Sequence, residues 1–297
     1  MKTAGFLWGD LRTWNYIKNK SMLVYKDLYG DIDWFMAVWE SNTDTEQNIR
    51  NFFKENNLNL KFFAFLKRSE ISEPFQKYRD KGFVSTYYST LSRAYFAYYL
   101  CKYKKLYEIN HEVEYDRTIV TRPDLLLFYN QQSINFEIDR LNFDKDLHFY
   151  LSLRGSPHYN PYFHGHGVTD TFFIFGKFSI DLWGLHYLDF NNYYQNIKNM
   201  SVWRGEAHTD VLDFIESHRL GLIDPKMAPF SRLNLNPVIH QEVVRPTMDI
   251  TRLIENCNKW DGEYWIPGKD DAWNQADVDQ KIKILEEFKI DKRDYHI

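Results

Sequence analysis

The sequence predicts an α/β fold, a mixed and mainly parallel sheet flanked by helices. Over the first 130 residues, short apolar runs closed by Gly or a polar turn alternate with segments of helical periodicity. Parallel strands need a long crossover, and a helix between consecutive runs supplies it. Aromatic residues make up 18% of the chain, with 9 Trp, 21 Tyr and 23 Phe, enough rings to fill a large core.

Thr3 to Trp8 (TAGFLW), closed by Gly9, reads as a buried strand. Thr13 to about Leu28 has helical spacing, with Trp14, Ile17 and the Met22–Leu23–Tyr25 cluster inward. Asp33 to Trp39 (DWFMAVW) is a second buried strand. A helix is expected from about Thr43, where TDTE offers a cap and early carboxylates, and Ile49, Phe52 and Phe53 form its stripe. Leu60 to Phe65 is a third strand. Beyond a polar connection holding Pro74, a long helix is expected from about Thr86 to Tyr107, with Leu91, Tyr95, Tyr98, Tyr99 and Leu106 at helical intervals. Arg117 to Thr121 (RTIVT) is again a strand.

Past residue 130 the rhythm changes. His148 to Leu153 and Thr171 to Phe175 read as strands, separated by a loop rich in Gly, Pro, His and Tyr. Helices are expected over Ile180 to Leu188, Thr209 to His218 and Asp277 to Phe288, and Asn234 to Val244 is extended. No repeat, low-complexity tract or linker interrupts the chain. A length of 297 residues fits one compact domain of two fused halves, 1–130 and 131–297.

Charge and composition narrow the function. A net charge of -4 gives no global basic field, so nucleic acid is not an expected partner. Two cysteines, Cys101 and Cys257, are too few for a disulfide scaffold or a Cys-rich zinc site. The first residues lack the apolar core of a secretion signal, and no stretch approaches the ~20 apolar residues of a membrane span. A soluble, cytoplasmic protein is the expectation.

The strongest local signal is Tyr115 to Leu125, YDRTIVTRPDL. A buried strand ends in a loop that presents Arg122 and Asp124 two residues apart. In an open α/β sheet, ligands bind beyond such C-terminal strand ends. A carboxylate there holds a divalent cation, and a guanidinium beside it binds phosphate. The same spacing also suits an Arg–Asp pair bracing a proline turn, and both readings stand.

Four segments in order resemble GT-A-type nucleotide-sugar glycosyltransferases, specifically small enzymes of bacterial and large-virus surface-glycan pathways. They are GDLRTW (Gly9 to Trp14), DWFMAVW (Asp33 to Trp39), YDRTIVTRPDLLLF (Tyr115 to Phe128) and VTDTFFIFG (Val168 to Gly176), with a weaker fifth from Gly205 to Gly221. The resemblance implies a GT-A-like, Rossmann-type sheet, with 1–130 as the nucleotide-sugar half and 131–297 as the acceptor half and C-terminal extension. It implies a nucleotide-sugar donor, a UDP-sugar, and a glycan or glycoconjugate acceptor. Gly9, Asp10 and Arg12 would touch the nucleotide, and Arg122 would bind its diphosphate; Arg93, on the long helix, either approaches the diphosphate from the sheet face or sits on the solvated side. Asp124 and a later His208 would hold Mn²⁺ or Mg²⁺. The chain departs from the family at Arg122, which replaces the first Asp of the usual Asp-x-Asp, so the guanidinium is open to doing part of the cation's work.

Inverting transfer needs a carboxylate base for the acceptor hydroxyl, and Asp170 and Asp210 are the candidates. Each is also readable as a capping residue, Asp170 before a strand and Asp210 in a first helical turn. Asp31-Ile32-Asp33, at the wrong end of its strand, and Asp144-Lys145-Asp146, a solvated turn, are set aside as cation sites; Glu137-Ile138-Asp139, after the strand candidate SINF, stays a minor alternative to Asp124. His164 and His166 invite a metal, yet in a Gly-rich loop such a pair more often binds backbone or a polar ligand, which favours acceptor binding. Tyr159, Tyr162 and Phe163 offer rings for a sugar face. Two other readings are a carbohydrate-binding protein without catalysis and a metal hydrolase built on His164, His166 and Asp170. No GxGxxG, phosphate-binding P-loop or Gly-x-Ser-x-Gly elbow is present.

Overall fold

The computed structural model describes residues 2–41, 43–71, 86–128, 149–153, 168–185, 187–188, 240–243, 250–256 and 279–280. Strand β1 (Thr3–Gly9) leads through helix α1 (Trp14–Tyr29) to β2 (Ile32–Trp39), and α2 (Glu46–Glu55) leads on to β3 (Asn59–Leu66). Helix α3 (Thr86–His111) precedes β4 (Arg117–Thr121), and a short turn joins β4 to β5 (Leu125–Phe128). Then come β6 (Phe149–Leu153), β7 (Val168–Gly176), α4 (Lys177–Leu185), β8 (His240–Val243) and α5 (Ile250–Asn256).

Six strands form one sheet in the order β3-β2-β1-β4-β7-β6. The first four run parallel, and β7 and β6 add antiparallel pairs beyond β4. Strands β5 and β8 make a separate antiparallel ribbon, Leu125 opposite Val243 and Phe128 opposite His240. The sheet is therefore mixed and mainly parallel, as the run-and-helix alternation predicts.

Strands β1, β2 and β4 are buried on both faces, which is why they read as nearly continuous apolar runs, whereas β3 at the sheet edge is partly exposed. Along β1, Ala4, Phe6 and Trp8 join a core that includes Leu91, Phe96 and Leu100 of α3 and Trp183 of α4. Leu7 joins the opposite core, with Trp14, Met22 and Tyr25 of α1 and Ile49, Phe52 and Phe53 of α2. Helices thus cover both faces. Between them Gly5 is fixed by packing, since a Cβ there would lie 2.4 Å from Trp34 Cε3 and 2.7 Å from Ile32 Cγ2.

Three expectations shift. Helix α2 begins at Glu46 instead of Thr43, because Thr45 is its cap and its hydroxyl accepts from the Asn48 N–H at 3.2 Å. The Thr43 hydroxyl is instead paired with that of Ser41 at 2.6 Å. Helix α4 starts at Lys177, directly after β7 ends at Gly176, so it lies three residues earlier than its apolar spacing suggests. Strand β7 starts at Val168, which places Asp170 inside a strand and not in a loop ahead of it. The helices expected at 209–218 and 277–288 fall wholly or mostly outside the described residues. Among those residues, no helix is long and apolar enough to cross a membrane.

Candidate functional site

The strand order reverses direction at β1. The chain moves outward from β1 to β2 to β3, then returns across the sheet to place β4 on the other side of β1. At such a switch point the crossovers leave on opposite faces and open a crevice beyond the C-terminal strand ends. Here those ends are Gly9 of β1 and Thr121 of β4. The register brings neighbouring ends level: Leu7 pairs with Thr121, and Thr121 pairs with Phe172 of β7. Beyond Thr121 the chain leaves the sheet and turns, the Leu125 N–H donating to the Arg122 carbonyl at 3.3 Å.

Gly9 has φ +115°, a backbone conformation that disfavours any side chain, and nothing stands within 4 Å of where its Cβ would be. Asp10 and Arg12 lie on the turn into α1, where the Trp14 N–H donates to the Leu11 carbonyl at 2.7 Å. The Arg12 guanidinium donates to Asp10 Oδ2 at 3.3 Å. A second guanidinium arrives from the turn after β3, Arg68 Nη2 donating to Asp10 Oδ1 at 2.7 Å. Arg68 also lies over the Trp39 ring at the end of β2, 5.5 Å from its centroid. Sequence reasoning missed Arg68. In LKRSE it looks like an ordinary solvated turn, and its partner lies 58 residues away.

At β4 the Arg122 Nε and Nη2 donate to Asp124 Oδ1 and Oδ2, each at 2.8 Å. Asp124 is fully buried and the Arg122 side chain is 17% exposed. Helix α1 braces this turn from below. The Tyr25 and Thr121 hydroxyls are 2.5 Å apart, and the Ser21 hydroxyl donates to the Leu125 carbonyl at 2.9 Å. Burial pushes the Tyr25 phenol well above its usual pKa, so it stays neutral, and the Asp124 charge adds to that push.

Arg93 sits half-buried on α3, about 10 Å along the helix from its first residue. Asp170 is the third residue of β7, at an irregularity in that strand. Between Leu151 opposite Phe173 and Leu153 opposite Val168, β6 advances two residues while β7 advances five. Such bulges bend a strand locally and are frequent beside active sites. Asp210, His208, His164, His166, Tyr159, Tyr162 and Phe163 lie outside the described residues. Asp33, set aside from the sequence, lies at the opposite end of β2, where it accepts from the Tyr115 hydroxyl at 2.8 Å.

Of the two residues named for a divalent cation, Asp124 lies among the described residues and His208 does not. Both Asp124 oxygens already accept from a guanidinium, itself a cation. Among the described residues, no group of three or more His, Cys, Asp or Glu could hold a metal ion. The arrangement is instead a paired Arg–Asp brace at one lip of the crevice and a two-to-one Arg–Asp cluster at the other.

No protein-family profile and no curated protein matches this chain. Solved structures that resemble it are glycosyltransferases. One is the apo-form glycosyltransferase GlyE of Streptococcus pneumoniae, at 10% identity over 97% of this chain and 63% of that one, with a TM-score of 0.40. A glycosyltransferase involved in the glycosylation of the major capsid of PBCV-1 matches at 9% identity over 73% of this chain and 78% of that one, TM-score 0.33. The galactosyltransferase LgtC, in complex with donor and acceptor sugar analogues, matches at 10% identity over 88% and 92%, TM-score 0.41. The chain thus spans just under two thirds of the length of GlyE.

Proposed function

We propose that this chain is a glycosyltransferase that moves a sugar from a nucleoside diphosphate, a UDP-sugar, to a hydroxyl of a glycan or glycoconjugate. The observation that carries the reading is the switch point between β1 and β4, with arginines held by carboxylates in the turns that follow β1, β3 and β4. A diphosphate is a multiply charged oxyanion, and guanidinium forks match its oxygens in geometry and charge. The order of motifs along the chain, from GDLRTW through TRPD to VTDTFFIFG, supports the same reading.

In this reading, Gly9 to Arg12 receive the nucleotide, and Gly9 lets the backbone come close. Arg122, oriented by Asp124, faces the departing diphosphate, and Arg93 is a further candidate contact. A carboxylate, Asp170 with Asp210 as the other candidate, takes the proton from the acceptor hydroxyl. The acceptor oxygen bonds to the anomeric carbon, and the bond to the diphosphate oxygen breaks with its electron pair leaving on the diphosphate. This displacement inverts the anomeric centre. Residues 131–297 supply the acceptor side. A cation ligated by Asp124 and His208 would add Lewis-acid stabilisation of the leaving group only if Arg122 first released the carboxylate.

A donor panel tests the proposal. Purified protein is given UDP-, GDP-, CMP- and dTDP-sugars with a glycan acceptor mixture, in Mn²⁺ and in EDTA, and nucleotide release is followed. One donor class is expected to turn over and to raise the melting temperature. Sugar binding with no nucleotide response would replace this reading with a carbohydrate-binding protein. Asp170→Asn is expected to keep nucleotide binding and lose transfer, and normal transfer by that variant moves the base elsewhere.

A further inference from the structure

We propose that Arg68 and Arg12 form a two-guanidinium clamp for a diphosphate group, with Asp10 as the carboxylate that sets their spacing. The assignment of that diphosphate to a sugar donor rests on the glycosyltransferase reading. Arg68 adds a binding residue that no sequence motif marks.

Three features carry the inference. First, the charges do not cancel. One carboxylate is shared by two guanidiniums, 2.7 Å from Arg68 and 3.3 Å from Arg12, so the cluster is left with one net positive charge. Each guanidinium offers five N–H donors in a planar fork, and Asp10 engages one from each. The rest of each fork is available to further oxyanions.

Second, Arg68 is held by a built turn and not by a floppy loop. The Glu70 N–H donates to the Lys67 carbonyl at 2.9 Å, and the Lys67 N–H donates back to Glu70 Oε1 at 2.8 Å. The other Glu70 oxygen accepts from the Tyr95 hydroxyl of α3 at 2.6 Å, and Ile71 closes the turn fully buried. The Arg68 guanidinium rests on Trp39, an aromatic face that limits the directions it can take. Ordering that is already in place is not charged against ligand binding. Glu70 is therefore a positioning residue for Arg68.

Third, the cluster stands directly beside Gly9, where the backbone leaves open space at the end of β1. The two arginines come from the turns after β1 and β3, so the clamp spans the end of β2 between them. Arg122 across the switch point is matched one to one by Asp124, so the surplus positive charge at these strand ends comes from the Arg12–Arg68–Asp10 cluster. This predicts nucleoside diphosphate binding that EDTA does not abolish.

Binding of inorganic pyrophosphate, UDP and uridine to wild type, Arg68→Gln and Arg68→Lys, by calorimetry and thermal shift in EDTA, tests the clamp. Arg68 is 47% exposed, so both variants are expected to fold with wild-type melting temperatures. Arg68→Gln should weaken pyrophosphate and UDP roughly tenfold or more while leaving any uridine affinity unchanged. Arg68→Lys, which keeps the charge but loses the fork, should fall between. The salt dependence of UDP binding should flatten in Arg68→Gln. UDP affinity unchanged in Arg68→Gln overturns the clamp and leaves the nucleotide reading standing. Pyrophosphate binding lost in Arg68→Gln, with no nucleoside diphosphate bound by wild type, upholds the clamp and removes the nucleotide reading.

Discussion

Arg122 holds Asp124 through two parallel bonds, Nε to Oδ1 and Nη2 to Oδ2, both 2.8 Å, across a single proline. A fork-to-fork pair of this kind fixes orientation as well as charge. Its carboxylate is wholly buried, so removing the guanidinium takes two charge-assisted bonds from a charge held away from water. Arg122→Ala and Asp124→Ala are each expected to cost about 2–3 kcal/mol of stability. The double variant should cost less than the two together, with a coupling of about 1–3 kcal/mol in urea unfolding. Strict additivity would mean that the pair does not brace the turn.

Two glycines in β1 should fail for opposite reasons. At Gly5 the backbone is ordinary but Trp34 occupies the space a methyl needs, so Gly5→Ala overpacks the core at about 1–3 kcal/mol. At Gly9 the space is open and the backbone itself is the obstacle, with φ +115°. Gly9→Ala is expected to cost about 1–2 kcal/mol. It should also reduce nucleotide affinity, whereas Gly5→Ala should leave the affinity of its folded fraction intact. Urea titration paired with nucleotide binding separates the two cases.

The two glycines also illustrate what sequence discloses. TAGFLWG, DWFMAVW and RTIVT are legible as strands because burial on both faces leaves no room for polar alternation. Arg122 and Asp124 are legible as a pair because only Pro123 separates them. The cap of α2 is less so, since Thr43, Asp44 and Thr45 all carry capping side chains and only the turn's geometry selects Thr45. Asp170 looks like a loop residue because the surplus of β7 residues against β6 depends on the partner strand. Arg68 is illegible for a stronger reason. Its role depends on β3 and β1 ending at the same edge with β2 between them, which no local pattern encodes.

Lys104 and Glu108 form a buried pair on α3, 2.9 Å apart, with side chains 2% and 7% exposed. Glu108 Oε1 also accepts from the Tyr115 N–H at 3.2 Å, tying the helix to the residues just before β4. Lys104→Met leaves Glu108 charged, with Lys105 at the surface 3.7 Å from its other oxygen. The expected loss is about 3–5 kcal/mol. Adding Glu108→Gln should recover much of it, because the amide oxygen still accepts from Tyr115 without carrying charge. Equal urea midpoints for the single and double variants would assign the loss to packing of the lysine stem instead.

Asp181, half-buried on α4, gives a pH signature of opposite sign to that of most ion-paired acids. Burial raises its pKa above the ordinary 3.8, and Glu108 adds to the rise, while Lys104, Lys105 and Lys177 oppose it without cancelling it. A carboxyl whose folded pKa is raised binds its proton more tightly in the fold than in the unfolded chain. Its contribution is therefore fully present below pH 3.8 and is lost as pH climbs through the raised folded value. Asp181→Asn removes that loss without changing side-chain size. The variant should be more stable than wild type at about pH 7, and the advantage should shrink as pH is lowered toward about 4. Urea midpoints at several pH values check both the sign and the trend. A variant weaker than wild type at neutral pH would mean that attraction to the three lysines outweighs desolvation, reversing the electrostatic balance at this end of α4.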